Sequence, residues 1–132
     1  MKDQNETFEI SGKGKLDLPF LAIKEAILGK RYSLSLVFAT ANQSRKLNKT
    51  WRDKDYPTNV LSFPNTKESG EVLLHLPTAK KEAKKFGMPY RDFVGYLFIH
   101  GLLHLKGFDH GTIMEHKEKT FLKRFGLATP LD

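Results

Sequence analysis

Residues 100 to 110 read HGLLHLKGFDH, and the spacing of their three histidines organises everything around them. His100 and His104 are four apart, so on a helix their rings leave the same face one turn apart. Gly107 permits a left-handed exit from that helix, and His110, three residues later, can then fold back toward the first two imidazoles. Neutral imidazoles suit zinc at about 2.0 to 2.1 Å, and three protein ligands leave a fourth position for water, the mark of a catalytic rather than a closed structural site. The expectation is one zinc ion, or another divalent metal, per chain on His100, His104 and His110. The other histidines, His75 and His116, have no partner at ligand spacing. His75 is at most a substrate contact, and His116 belongs on the surface.

The same His-x3-His-x5-His spacing occurs in metzincin proteases, whose pattern is HExxHxxGxxH, but the position of their glutamate base is held here by Gly101. Without that carboxylate the metalloprotease chemistry lacks its general base. Glycine inside a helix costs about 1 kcal/mol relative to alanine, so Gly101 signals close approach or open space beside His100. The expectation is room for a bulky substrate.

Outward from the motif, Tyr90 to Lys106 reads as one long apolar helix stopped by Gly107, with Phe93, Leu97, Leu102, Leu103 and Leu105 as core. Thr112 to Phe125 is a last amphipathic helix that buries Met114, Phe121 and Leu122. Toward the N-terminus, Glu6 to Ile10 alternates like a strand closed by Gly-Lys-Gly at 12 to 14. A helix follows from Leu18 to Gly29, and a strand from Tyr32 to Ala39. Thr40 caps a polar helix through about Trp51. Asn59 to Phe63 and Glu71 to Leu76 are further strands, and Thr78 caps a short Lys-rich helix ending at Gly87. Lys80, Lys81, Lys84 and Lys85 on that helix read as a solvated face, with contact to RNA or the ribosome as the second reading. This order predicts an α+β fold with a small, mixed, about four-stranded sheet covered by helices, as a single domain over residues 1 to 132.

Composition narrows the chemistry. The chain has no cysteine, so any metal is held by nitrogen and oxygen, and neither a disulfide framework nor a cysteine nucleophile is available. Twenty-two Lys and Arg against 15 Asp and Glu leave a formal charge of +7, a field that attracts polyanions. The first residues, MKDQNETFEISGKGK, lack an apolar signal-type run, and no stretch approaches the roughly 20 apolar residues of a membrane span. A cytoplasmic location is the simplest expectation.

Three segments together resemble the YbeY family of bacterial endoribonucleases: HGLLHLKGFDH, the stretch LNKTWRDKDYPTNVLSFP at 47 to 64, and GEVLL at 70 to 74. The resemblance implies a zincin-like fold, with the three signature histidines at His100, His104 and His110. It further implies a metal-dependent, single-strand-preferring endoribonuclease in ribosomal RNA (16S) maturation and ribosome quality control. The ribosomal small subunit is the implied partner, and a monomer the expected state. Phe108 stands where tyrosine is common in the family, so no tyrosine hydroxyl takes part there.

Catalysis is expected from His100 and from Arg52, the position at which the family has an arginine implicated in activity. A guanidinium can grip two phosphate oxygens at once. Arg45, Lys49 and Arg52 share a helical face, as an RNA-binding stripe or as a solvated one. Thr58, Asn59 and Ser62 are candidate RNA contacts, with a strand-entry turn explaining the first two equally well. Asp109 is placed to orient an imidazole through its other ring nitrogen or to help activate a metal-bound water, with a turn-forming aspartate explaining it equally well. Trp51 is expected to pack rather than to stack a base. The competing functions are a metal-dependent peptide or amide hydrolase, and a non-catalytic ribosome-binding factor stabilised by zinc.

Overall fold

The computed structural model describes residues 7–12 and 14–130. The element order is β1 (Phe8–Gly12), α1 (Phe20–Leu28), β2 (Ser33–Phe38), α2 (Ala41–Arg52), β3 (Val60–Thr66) and β4 (Ser69–Leu74). There follow α3 (Leu76–Ala83), α4 (Tyr90–Lys106) and α5 (Thr112–Arg124). The four strands form one mixed sheet in the order β1-β2-β4-β3, with β3 the antiparallel edge strand beside β4 and the other two pairings parallel. The α+β class and the small mixed sheet are therefore as expected.

Strand side chains alternate between two apolar layers, as the period of two requires. Leu34, Leu36, Phe38, Val72 and Leu74 enter the main core, while Leu61 and Leu73 enter a smaller cluster on the opposite face. In that second cluster Leu47 of α2 and Phe63 pack against them. The main core also takes in Phe93, Phe98, Ile99, Leu102 and Leu103 of α4, which is apolar on most of its circumference because it packs against the sheet, α1, α3 and α5. Edge strand β3 thus turns Val60 toward the α4 side and Leu61 toward the α2 side, so it stands between the two helices that carry the motifs.

Helix α4 has the bounds that its sequence signals give. Pro89 precedes it, and Gly107 closes it at φ 109°, with the Phe108 N–H returning to the Leu103 carbonyl at 3.0 Å. Thr40 caps α2 in a full capping box with Gln43, also as read. Helix α3 differs: it starts at Leu76, and its cap residue is His75, not Thr78. Pro77 opens the first turn, where its missing N–H costs nothing, and Thr78 sits inside the helix with its hydroxyl bonded to His75 Nδ1 at 2.6 Å. The helix ends at Ala83 rather than running to Gly87, which leaves Lys84 and Lys85 in the turn beyond it.

Strand β3 continues past Phe63 through Pro64, which an edge strand tolerates because no neighbour needs its N–H. The N-terminal strand is shifted to Phe8–Gly12, and Glu6 and Lys13 of the expected element lie outside the described residues. Leu105 and Phe121 are only half-buried, and Trp51 is 65 % exposed instead of packed into the core. No helix among the described residues is long and apolar enough to cross a membrane.

Candidate metal centre and its cavity

The expected face of α4 forms. His100 and His104 bring their Nε2 atoms to 3.1 Å of each other, and the loop after Gly107 carries the His110 ring to 5.1 and 4.8 Å from theirs, centroid to centroid. One nitrogen from each of the three rings lies within 4.8 Å of the other two.

The outward nitrogens fix the tautomers. His104 Nδ1 meets the Phe108 carbonyl at 3.0 Å, and a carbonyl only accepts, so that nitrogen carries the proton. His100 Nδ1 donates in the same way to the Glu118 carboxylate at 2.5 Å. Burial, then the neighbouring His100 and His110, push His104 below the usual imidazole range, while the Phe108 carbonyl and Asp109 oppose the shift. With its proton on Nδ1, His104 turns its Nε2 lone pair toward His100 Nε2. The three imidazoles could together hold a metal ion, one nitrogen each, with the Nδ1 atoms of His100 and His104 tied back into the protein.

Asp109 does not take the orienting role expected of it toward His100 or His104. It is exposed and makes no hydrogen bond to either ring, because the residues that reach the two Nδ1 atoms are Glu118 and Phe108. Glu118 was legible in principle. It lies between Met114 and Leu122 at steps of four on α5, and all three are buried, so it is a carboxylate set into an apolar stripe. Such a charge needs a partner.

Across from the imidazoles, a cavity of about 420 Å³ is lined by Arg52, Thr58 and Ser62. Among the described residues no carboxylate lines it. Arg52 ends α2, and Asp53 then adopts φ 55°, a left-handed conformation that aspartate tolerates, which turns the chain into the loop returning to β3. Two buried polar residues of α2 hold that loop. Ser44 Oγ donates to the Thr58 carbonyl at 2.8 Å and accepts from the Thr58 N–H at 2.9 Å, and Asn48 Nδ2 donates to the Tyr56 carbonyl at 2.9 Å. Arg52 Nη1 in turn donates to Thr58 Oγ1 at 3.4 Å. Ser44 and Asn48 went unnoticed in the sequence, where small polar residues on a polar helix look solvated.

The stripe of three cations divides. Arg45 and Lys49 pair with Asp55 at 3.7 and 3.9 Å and do not line the cavity, whereas Arg52 does. Asn59 reaches the cavity wall while its side chain donates to Glu82 at 2.6 Å. His75 is buried away from the cavity, and His116 is exposed as expected. Gly101 lines the cavity, and a Cβ there would touch Val72 at 3.4 Å and Val60 at 3.6 Å, so the glycine lets α4 approach β3 and β4 closely at the cavity wall.

The class is that of α+β proteins in which three histidines able to hold a metal ion share one cavity with an arginine. The model of the endoribonuclease YbeY family matches residues 5–126, and the chain belongs to that family. Endoribonuclease YbeY of Methylocella silvestris is 38% identical in an alignment of 116 positions that covers 80% of this chain and 66% of that one. The Acholeplasma laidlawii protein of the same name is 36% identical, covering 89% of this chain and 82% of its own. The Persephonella marina relative is 39% identical over 71% of this chain and 64% of its own, so the match spans slightly under two thirds of that protein and of the Methylocella one. Among solved structures, the solution structure of TM1509 from Thermotoga maritima superposes with a TM-score of 0.65 at 26% identity, over 89% of this chain and 88% of that one.

Proposed function

We propose that this protein is a metal-dependent endoribonuclease that prefers single-stranded RNA and acts in ribosomal RNA maturation and ribosome quality control, with zinc as its metal. The observation that carries the reading is the position of Arg52 across a carboxylate-free cavity from His100, His104 and His110. A phosphodiester is anionic and gains charge as its phosphorus becomes crowded. Fixed cations favour it there, and a carboxylate would repel it. The family name of the relatives supports RNA as the substrate, and the net charge of +7 supports a polyanionic partner such as the ribosomal small subunit.

In this reading the three histidines hold the ion, whose chemistry is to polarise a phosphate oxygen or to lower the pKa of a bound water. Glu118 keeps the His100 ring turned and its Nδ1 protonated, and the Phe108 carbonyl does the same for His104. Arg52, steadied by Thr58, donates to the non-bridging oxygens. The peptide-hydrolase alternative loses its support with the missing base at Gly101 and with no carboxylate among the described residues of the cavity wall.

The test pairs metal analysis with cleavage of a single-stranded RNA by wild type, His104→Ala and Arg52→Ala, with heat-killed and mock-purified controls. Wild type should carry zinc and cleave. His104→Ala should lose both properties, and Arg52→Ala should keep the metal while losing about 100- to 1,000-fold in rate. Equal cleavage by all three proteins, or cleavage of casein but not RNA, overturns the reading.

A further inference from the structure

A second hollow of about 530 Å³ adjoins the first, lined by Trp51, Phe63, Pro64 and Asn65, and Arg52 and Ser62 belong to the walls of both. Trp51 lies against Phe63 with ring centroids 5.6 Å apart and the planes at 48°, so Phe63 props the indole from one side. Phe63 itself is half-buried, anchored in the cluster under α2, whereas Trp51 is 65 % exposed. The fold thus holds a large flat apolar surface in water immediately beside the guanidinium that faces the imidazoles. Leaving such a ring exposed forgoes burial free energy, and its neighbours are suited to a flat ligand. Pro64 extends the apolar floor, Asn65 and Ser62 offer hydrogen-bonding groups at its rim, and no carboxylate among the described residues lines the hollow.

We propose that this hollow is a nucleobase subsite, where an unpaired base flanking the scissile phosphate stacks on Trp51 while that phosphate is held by Arg52. The proposal rests on the nuclease reading and adds what that reading lacks, a physical origin for preferring single strands. A base within a duplex is stacked on its neighbours and cannot turn its face to a protein ring, whereas a base in a single strand can. The continuity of the two hollows through Arg52 makes RNA the fitting occupant. A chain that places a phosphate on the guanidinium carries its next base along the strand, and the apolar pocket lies one step from the cation.

Trp51 is the sole tryptophan of the chain, so its fluorescence reports on this hollow alone. A 2′-O-methyl hexanucleotide, which resists cleavage through its own 2′ oxygen, should quench that fluorescence as it binds, and the same sequence in a duplex should not. Moving an abasic nucleotide along the oligomer should abolish the quench at one position while anisotropy still shows binding. Trp51→Ala should raise Kd for the single strand, and KM for cleavage, by about 5- to 150-fold, the worth of one stacked base, while Trp51→Phe should restore most of the loss. Because the ring is exposed, both variants should unfold at the wild-type temperature. Wild-type cleavage with no quench, or with unchanged Kd and KM in Trp51→Ala, overturns the subsite and leaves the nuclease intact. Wild-type protein that neither binds nor cleaves RNA overturns the nuclease reading and the subsite together.

Discussion

At the scale of single residues, the site depends on groups that never face the cavity. Glu118 is 5 % exposed and spends its carboxylate on the outward nitrogen of His100. Removing it leaves a buried N–H without a partner and frees the ring to rotate or to change tautomer. Glu118→Ala should therefore lower zinc affinity about 10- to 100-fold, measured by competition with a chromogenic chelator, and Glu118→Gln, which still offers an acceptor oxygen, should lose less. Unchanged affinity in Glu118→Ala would show that the ring is held by packing alone. The ligands themselves were legible because helical periodicity and one helix-stopping glycine suffice to gather them. Their partners were less so: Glu118 stands out as a carboxylate in an apolar stripe, but choosing it over Asp109 depends on how α5 packs on α4. Sequence proximity favoured the neighbour of His110, and tertiary packing brought the carboxylate from eighteen residues past His100 instead.

Among the elements, α2 and the loop behind it act together. Ser44 makes two hydrogen bonds to one loop residue, Thr58, whose hydroxyl in turn receives the Arg52 guanidinium. Ser44→Ala should cost about 1 to 3 kcal/mol in urea unfolding and also depress RNA cleavage, because the loop that steadies Arg52 is released. Thr50→Ala, which removes an exposed bond from the same helix to Lys46, should change neither by a comparable amount. Helix boundaries were legible where the backbone itself announces them. Pro89 and Gly107 delimit α4, and the Thr40–Gln43 pair opens α2. They were misread where two residues compete for one role. Thr78 is the better capping residue by type, yet Pro77 fits the first turn, which moves the cap back to His75 and leaves Thr78 to bond the imidazole. Ser44 and Asn48 escaped notice because their burial depends on a loop that local pattern does not position.

Over the whole molecule, the balance of charge and burial sets the response to pH. His75 is buried at the base of α3, and burial lowers its pKa below the ordinary histidine value of 6.5. In the unfolded chain the same ring takes up a proton at that ordinary value, so the unfolded state binds the proton first as pH falls. Its contribution to stability is complete above the ordinary histidine range and is lost as pH drops through the folded value. The thermal midpoint should thus fall from about pH 7 to about pH 5, and His75→Asn should make that fall shallower. Taking the difference between the two proteins cancels the loss of metal from the other histidines. An identical slope in both would place the acid sensitivity elsewhere.

The all-nitrogen ligand set carries one more consequence. The chain has no cysteine, and the three side chains that face one another in the cluster are imidazoles. Peroxide converts thiolates to sulfenic and sulfinic acids and so ejects ions from sulfur cages, a ladder that ring nitrogens do not climb. Of the described methionines, Met88 and Met114 are shielded at 6 % and 2 % exposure. Peroxide at doses that disarm thiolate enzymes therefore finds no sulfur among the three imidazoles that would hold an ion here.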